Sequence, residues 1–144
     1  MTRKKIKLGR REGLYLKDVS TKGHGVFCTQ DIKKGAVLEI SPSVVLNEAA
    51  TGHVDKTILV NYTFELGKPS KRLRDRARIR RMDQACVVIM GVASFCNHDE
   101  DPNAEILWED RGGMLYYTLR ARRNIPKNTE ICTSYGDGWF DDRR

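Results

Sequence analysis

A short polar stretch, SFCNHDEDPN at residues 94–103, restricts the fold of this chain more than any other feature. It follows the apolar run from Val87 to Phe95, and it places Asn97 and His98 where that run ends. Side chains of this kind need hydrogen-bond partners when they are buried, and an isolated pair is more often a cap than a site. Whatever the fold, it has to supply partners for these groups at the end of a buried segment.

The length and composition of the chain indicate one globular domain. Its 144 residues are 40% hydrophobic and 31% charged, the balance of a soluble folded protein. The longest apolar run, Ala85 to Phe95, is broken by Gly91 and Ser94 and is too short to cross a bilayer. The basic N-terminus lacks the apolar stretch of a signal peptide, so we expect an intracellular protein with no membrane partner.

The cysteines and histidines show no spacing typical of metal ligands. We therefore expect no metal site, and we expect the cysteines to be buried thiols in a reducing compartment, either nucleus or cytoplasm. The residues concerned are Cys28, Cys86, Cys96, Cys132, His24, His53 and His98.

All of the net charge lies in one segment. Between Lys68 and Arg81 there are eight Lys and Arg residues against one acid, Asp75, and this local excess equals the +7 of the whole chain. The segment either binds an anionic partner, such as nucleic acid or an acidic protein, or forms a solvated helix face. It has none of the aromatic residues on which bases stack, so nucleic-acid contact is the weaker expectation.

Short strands are predicted along most of the chain. Leu14 to Val19 and His24 to Thr29 form a pair around a turn, and Arg111-Gly112-Gly113 joins two further strands as a hairpin. Pro42 is expected to separate AVLEI from a second short strand, Ser43 to Leu46. EICTSY is predicted as the last strand.

Few helices are predicted. The best candidate runs from Ser70 to Asp83 with Ser70 as its N-cap, while residues 47–56 fit a loop or a short helix and residues 58–66 stay undecided. Strands do not alternate with helices, which argues against a parallel βαβ sheet. The expected class is mostly β with a few short helices (α+β).

Three motifs carry polar or aromatic groups that could form a site: KGHGVF at residues 22–27, the Asn97-His98 stretch, and EICTSYGDGWF at residues 130–140. Each alone has a structural explanation, as a tight turn, a cap or core aromatic surface respectively. Together and in this order, they resemble the SET domain, the fold of S-adenosylmethionine-dependent protein-lysine methyltransferases. IKKGAVLEI and NIPKNTEI match intervening segments, and the resemblance covers roughly Gly13 to Phe140, closest in form to minimal viral and bacterial members.

The resemblance implies a fold and a division of the chain. The fold would consist of several small sheets with a C-terminal pseudoknot at the central motif, shaped by Pro102 and Asn103. Residues 1–12 would be a basic extension and residues 13–140 the SET domain, with residues 68–83 as a basic helical insert. Residues 141–144 would be a tail.

The resemblance also implies methyl transfer from S-adenosylmethionine to a lysine, which leaves S-adenosylhomocysteine. Tyr135 would be the catalytic tyrosine. The cofactor would contact Lys22, His24, Gly25, Asn97, His98, Tyr135 and Trp139. The substrate lysine would enter a channel formed by Tyr62, Thr133, Tyr135, Trp139 and Phe140.

Two departures from the family pattern bear on function. Asp99 and Glu100 replace the Ser-Cys that often follows the Asn-His pair, which places acids near the site. Thr133 stands two residues before Tyr135, where a Phe or Tyr often limits methylation, so higher methylation is expected.

The expected partner is a protein substrate with an accessible lysine, such as a histone. Nucleic acid could bind through Lys68–Arg81, and the chain could form a homodimer. The alternative is a non-catalytic SET-fold binding module that docks an anionic partner on the same basic segment.

Overall fold

The computed structural model describes residues 5–20 and 23–134. Within them, strands predominate and the two α-helices are short, which confirms the mostly β class. The strands are β1 Gly9–Arg10, β2 Leu14–Asp18, β3 His24–Cys28, β4 Val37–Leu46, β5 Thr63–Glu65, β6 Cys86–Ile89, β7 Asn97–His98, β8 Ala104–Arg111, β9 Met114–Ala121 and β10 Cys132–Thr133. The helices are α1 Glu48–Val54 and α2 Lys71–Ala77.

The main sheet has six strands in the order β5-β6-β4-β9-β8, with β1 also paired to β4. Its pairs are antiparallel, as the sequence pattern predicted. β8 and β9 form the predicted hairpin, since Gly112 and Gly113 have φ of 62° and 90° and so suit a two-residue turn. β1 lies within the stretch 1–12 that we assigned to an extension, and the domain limits remain a prediction.

Strand β4 differs from the prediction, because it runs unbroken through Pro42. Residues up to Pro42 pair with β9, and residues from Ser43 onward pair with β6. The missing proline N–H therefore falls where the strand exchanges one neighbour for another. The prediction of two separate strands was wrong.

Helix α2 is shorter than the predicted Ser70–Asp83. Ser70 is the N-cap, as expected, and its Oγ accepts a hydrogen bond from the Leu73 N–H at 3.1 Å. The helix ends because Arg78 adopts a left-handed conformation, with φ 58° and ψ 44°. Beyond it, Glu48 accepts hydrogen bonds from the Arg80 and Arg81 N–H groups, which a longer helix would have used internally.

The two undecided segments are also defined. Residues 47–56 contain α1, capped by Asn47, whose Oδ1 accepts from the Ala50 N–H at 3.0 Å. Residues 58–66 begin as the 3-10 turn Ile58–Tyr62 and continue as β5 at one edge of the main sheet.

A hydrophobic core lies between the main sheet and the segments that cross it. Tyr117 and Leu119 of β9, Leu38 of β4 and Val26 of β3 are fully buried in one cluster. A smaller cluster contains Leu73 of α2, Val87 of β6 and Leu115 of β9. None of the helices in the described part of the chain is long and apolar enough to span a membrane.

Two small sheets bring distant segments together. β2 and β3 form an antiparallel pair, while β7 and β10 run parallel, so that Asn97 lies opposite Cys132 and His98 opposite Thr133. Val26 and Ile131 form an isolated bridge that joins β3 to the residue before β10. The central motif, the early glycine motif and the start of the closing motif therefore meet at one place.

Candidate active site

A cavity of about 210 Å³ opens where these three motifs meet. Its polar wall comes from the start of β3 and from β7, and its aromatic wall comes from two 3-10 turns, Ile58–Tyr62 and Val92–Phe95. The lining residues are Gly23, His24, Asn61, Tyr62, Ser94, Phe95 and Asn97.

Asn97 links β7 to the start of β3 and to the segment before β10. Its Nδ2 donates to the His24 carbonyl oxygen at 3.0 Å and to Glu130 Oε2 at 2.7 Å. Both amide hydrogens are thereby used, while among the described residues none donates to its Oδ1. Asn97 can therefore still accept a hydrogen bond from a bound ligand.

Glu130 was not among the predicted site residues, although it belongs to the closing motif. A Cβ added at Gly25 would lie 2.7 Å from Glu130 Oε2, so the glycine is needed for the carboxylate to approach β3. The nearby Glu130 carboxylate therefore accounts for a glycine at position 25 without a bound ligand. In the sequence, Glu130 is simply the first residue of EICTSY. Its role becomes apparent only from its contacts with Gly25 and Asn97, which are distant along the chain.

Asn103 holds the segment before β10 in place, as expected for the central motif. Its Nδ2 donates to the Glu130 carbonyl oxygen at 2.8 Å, and its Oδ1 accepts from the Cys132 N–H at 2.9 Å. The side-chain amide thus acts as a strand partner for residues 130–132. This contact explains why the chain needs an asparagine after Pro102.

The acidic stretch Asp99 to Asp101 makes structural contacts at its first and last residues. The Asp99 N–H donates to the Thr133 carbonyl oxygen at 2.9 Å, and Arg123 Nη1 donates to Asp101 Oδ1 at 3.0 Å. The hydrogen bond from Arg123 lowers the pKa of Asp101 below its usual value. Glu100 is exposed beside them.

A buried carboxylate, Glu39, supports one of the two turns that line the cavity. Glu39 accepts hydrogen bonds from the Tyr117 hydroxyl, the Val92 N–H and Arg10 Nε. Because Val92 begins the 3-10 turn that carries Phe95 into the cavity, Glu39 fixes the start of that turn. Burial, together with the Glu39 carboxylate, raises the pKa of Tyr117 well above its ordinary value.

Tyr62 and Phe95 form the aromatic wall. Their ring centroids are 5.6 Å apart, and the Phe95 side chain is 38% exposed at the mouth of the cavity. Thr133 lies behind β7 and is buried, and its Oγ1 has no hydrogen-bond partner among residues 5–20 and 23–134. Tyr62 therefore lines the same cavity as Asn97, whereas Thr133 lies opposite His98 in the small parallel sheet.

The structure brings together only part of the predicted site. His24, Tyr62 and Asn97 line one cavity, and Gly25, His98 and Thr133 adjoin it through β3, β7 and β10. The other predicted residues lie outside the described part of the chain: Lys22, Tyr135, Trp139 and Phe140.

The cavity residues fit S-adenosylmethionine in the groups that they present. Asn97 Oδ1 is an acceptor for an ammonium group, and Gly23, at φ 79°, lets the backbone of the turn approach a ligand without a side chain. The aromatic wall offers apolar surface for a methylene chain and a methyl group. No group of three or more potential metal ligands occurs among the described residues.

Comparisons with known proteins found a matching family and a related enzyme. Residues 23–136 match the family described as SET domain. The chain is 33% identical over 135 residues to a histone-lysine N-methyltransferase of Schizosaccharomyces pombe, specific for H3 lysine-37, covering 92% of this chain and 80% of that protein.

Two solved structures have a similar fold. A Plasmodium falciparum protein, provisionally described as a histone methyltransferase, is 26% identical with a TM-score of 0.60, covering 90% of this chain and 97% of that one. The Neurospora SET domain protein DIM-5, a histone lysine methyltransferase, is 21% identical with a TM-score of 0.66. This match covers 90% of our chain and 54% of DIM-5, and it supports the fold alone.

Proposed function

This chain belongs to the SET domain family, and we propose that it binds S-adenosylmethionine beside Asn97 and methylates a histone lysine. Protein-lysine methylation is the activity that the family match and the histone-lysine methyltransferase relative support. SET methyltransferases use S-adenosylmethionine as their methyl donor. The observation that carries the proposal is that the early glycine motif and the central motif line one cavity, and that the closing motif joins them through the hydrogen bond between Asn97 and Glu130.

The cofactor, when bound, supplies a methyl group on a positively charged sulfonium. The chain itself has to present a neutral lysine amine, although a lysine side chain has an unperturbed pKa near 10.4. A narrow apolar channel disfavours the charged ammonium and so lowers its pKa, and in this proposal Tyr62 and Phe95 would form part of that channel. Holding the amine in line with the methyl group can remove several kcal/mol of the barrier.

Each predicted residue keeps a defined role in this proposal. Asn97 Oδ1 and the backbone at His24, Gly25 and His98 would hold the cofactor. The Tyr135 hydroxyl would orient the lysine amine, and Thr133 would leave room for a methylated amine. The remaining residues of the proposed site are Lys22 and Trp139 toward the cofactor, and Tyr62, Trp139 and Phe140 around the lysine.

A histone is the substrate that we propose, because the Schizosaccharomyces pombe relative is named for activity on histone H3. We also propose that the enzyme acts inside the cell, where buried thiols stay reduced. A homodimer is a further possibility that light scattering would test directly.

We also propose a nucleic-acid contact through Lys68–Arg81. Six arginines of this segment are exposed and form no ion pair within the described part of the chain: Arg72, Arg74, Arg76, Arg78, Arg80 and Arg81. Unpaired guanidinium groups of one sign attract phosphates, and a histone substrate is itself bound to DNA. Contact with DNA would also neutralise a charge that otherwise repels a basic histone tail.

Calorimetric titration of S-adenosylmethionine into the wild-type protein and Asn97→Ala tests the cofactor site. We expect binding that weakens at least about tenfold in the variant, because the ammonium group loses its acceptor. Asn124→Ala is the matched control, since Asn124 only accepts from the Lys34 N–H on the surface. Labelled cofactor incubated with core histones should transfer its label to lysine.

No binding by folded wild-type protein would contradict the methyltransferase proposal and favour the non-catalytic binding module.

Anisotropy titrations with a 20-base-pair DNA duplex at several salt concentrations test the basic segment. Replacing Arg72, Arg74 and Arg76 with glutamine should make the slope of log K against log salt shallower by up to about three, while Lys33→Gln/Lys34→Gln should leave it unchanged. Methylation of a short histone peptide should survive the triple substitution. A wild-type salt slope near zero, or binding to an acidic peptide alone, would contradict the nucleic-acid contact.

A further inference from the structure

We infer that Glu130 is a positioning residue, which turns the Asn97 amide so that its oxygen faces the cavity. Glu130 Oε2 accepts a hydrogen bond at 2.7 Å from Nδ2 of Asn97, which lines the cavity. The inference rests on the proposed function, in which Asn97 Oδ1 accepts from the cofactor. It assigns the glutamate of EICTSY to this task.

The chemistry of the two partners fixes the direction of the amide. Asn97 faces the His24 carbonyl oxygen and the Glu130 carboxylate, and both of these are acceptors. Only the NH₂ side of the amide can satisfy two acceptors at once, so Oδ1 must point the other way. Without Glu130, the His24 carbonyl oxygen would accept from only one hydrogen of the NH₂ group. The plane of the Asn97 amide would then be less restricted.

Glu130 is itself held in position. Its carbonyl oxygen accepts from Asn103 Nδ2 at 2.8 Å, and the next residue, Ile131, bridges to Val26. On the other side the carboxylate lies over Gly25, where an added Cβ would come within 2.7 Å of Oε2. Because β3 and the segment before β10 fix the position of this carboxylate, the carboxylate can in turn fix the orientation of the Asn97 amide.

A different role for Glu130 would be simple attraction of the positive sulfonium or ammonium group. The two roles respond differently to substitution. Glutamine keeps an acceptor oxygen for Asn97 but removes the negative charge, whereas alanine removes both. S-adenosylhomocysteine lacks the sulfonium charge but keeps the ammonium group, so comparing the two ligands separates a sulfonium effect from an orientation effect.

Calorimetry on Glu130→Gln, Glu130→Ala, Asn97→Ala and the double alanine variant tests the inference. We expect Glu130→Ala to weaken both ligands about tenfold and Glu130→Gln to stay within about threefold of wild type. In the Asn97→Ala background, Glu130→Ala should have no further effect, because its route to the ligand is already lost. Thermal melts and circular dichroism identify any variant that does not fold.

Two results would overturn the inference. Equal loss of S-adenosylmethionine binding in Glu130→Gln and Glu130→Ala, with S-adenosylhomocysteine unaffected, would show that the charge acts and not the orientation. Additive effects in the double variant would show that Glu130 acts independently of Asn97.

A measurement without ligand separates this inference from the proposed function. The side-chain NH₂ resonances of Asn97 in the ligand-free protein should shift and exchange faster with water in Glu130→Ala, and should stay near wild type in Glu130→Gln. Unchanged resonances in Glu130→Ala would refute the positioning role. If these resonances respond as expected while no variant or wild-type protein binds cofactor, the proposed function fails and the positioning of the amide stands. Gly25→Ala provides a second variant, since its Cβ displaces the carboxylate without removing it.

Discussion

At the residue scale, two neighbouring tyrosines on β9 show how the burial of its partner decides what a hydroxyl contributes to stability. The Tyr116 hydroxyl donates to Glu109 and the Tyr117 hydroxyl donates to Glu39. The Glu109 side chain is 53% exposed, whereas the Glu39 side chain is fully buried. Water can replace the first hydrogen bond but cannot reach the second.

We therefore expect Tyr117→Phe to lower the free energy of unfolding by about 1–3 kcal/mol, because Glu39 loses a partner in the interior. Tyr116→Phe, the matched control, should cost less than about 1 kcal/mol. Urea denaturation of both variants and the wild type measures the difference. Equal costs would mean that Glu39 obtains a replacement partner.

A second residue-scale prediction concerns Thr133, which is buried and lies opposite His98. In the proposed function Thr133 belongs to the lysine channel, so replacing it with phenylalanine should narrow that channel and stop transfer at lower methylation. Mass spectrometry of a histone peptide after exhaustive reaction should show more monomethyl and less di- and trimethyl product than with wild type. Thr133→Val, which changes the hydroxyl and not the volume, is the control and should keep the wild-type distribution.

At the scale of elements, two glycines illustrate opposite demands on the backbone. Gly52 lies inside α1, and nothing lies within 4 Å of a Cβ placed there. Gly91 precedes the 3-10 turn of the cavity, and a Cβ there would lie within 2.7 Å of both Glu39 carboxylate oxygens and closer still to the Tyr117 hydroxyl. The helix would tolerate a side chain, whereas the turn would not.

Gly52→Ala should therefore stabilise the protein by about 0.5–1 kcal/mol, the gain for replacing glycine inside a helix. Gly91→Ala should destabilise it by at least about 1–3 kcal/mol, since the buried carboxylate has to move. Thermal unfolding should thus shift upward in the first variant and downward in the second. A neutral Gly91→Ala would show that the Glu39 contacts are dispensable.

Elements with local signals were predicted correctly, and those that depend on distant contacts were not. The Gly112-Gly113 hairpin and the Ser70 cap follow from neighbouring residues alone. The unbroken β4 depends on which strands flank Pro42, and the segment after α2 is held by Glu48, some thirty residues away. The roles of Glu39 and Glu130 were invisible for the same reason, since each carboxylate acts on a residue far along the chain.

At the scale of the whole molecule, all four cysteines are buried thiols, as the sequence suggested. Burial raises the pKa of Cys96 far above its usual value, and burial is also the main cause of the raised pKa of Cys86. Because only the thiolate reacts quickly with alkylating and disulfide reagents, a raised pKa keeps these groups unreactive.

Native protein at pH 8 should accordingly show no rapidly reacting thiol toward a disulfide reagent, and denatured protein should show four. Because burial denies the reagent access to the thiols, a rise in pH that leaves the protein folded should not by itself make them react rapidly. The rate should instead follow unfolding, as reagent titrations in increasing urea would reveal. A fast thiol in the native protein would contradict the buried core around Cys96.

The bridge between Val26 and Ile131 has a consequence for biosynthesis. The two residues are more than a hundred positions apart, so a ribosome would release the early glycine motif long before its partner exists. Until residues 130–133 emerge, Asn97 lacks the Glu130 carboxylate and β7 lacks its parallel neighbour. Contacts of such long sequence separation fold slowly, and the nascent domain would expose its unpaired strands during that interval. The site therefore forms late in synthesis, in a single step after residues 130–133 have emerged.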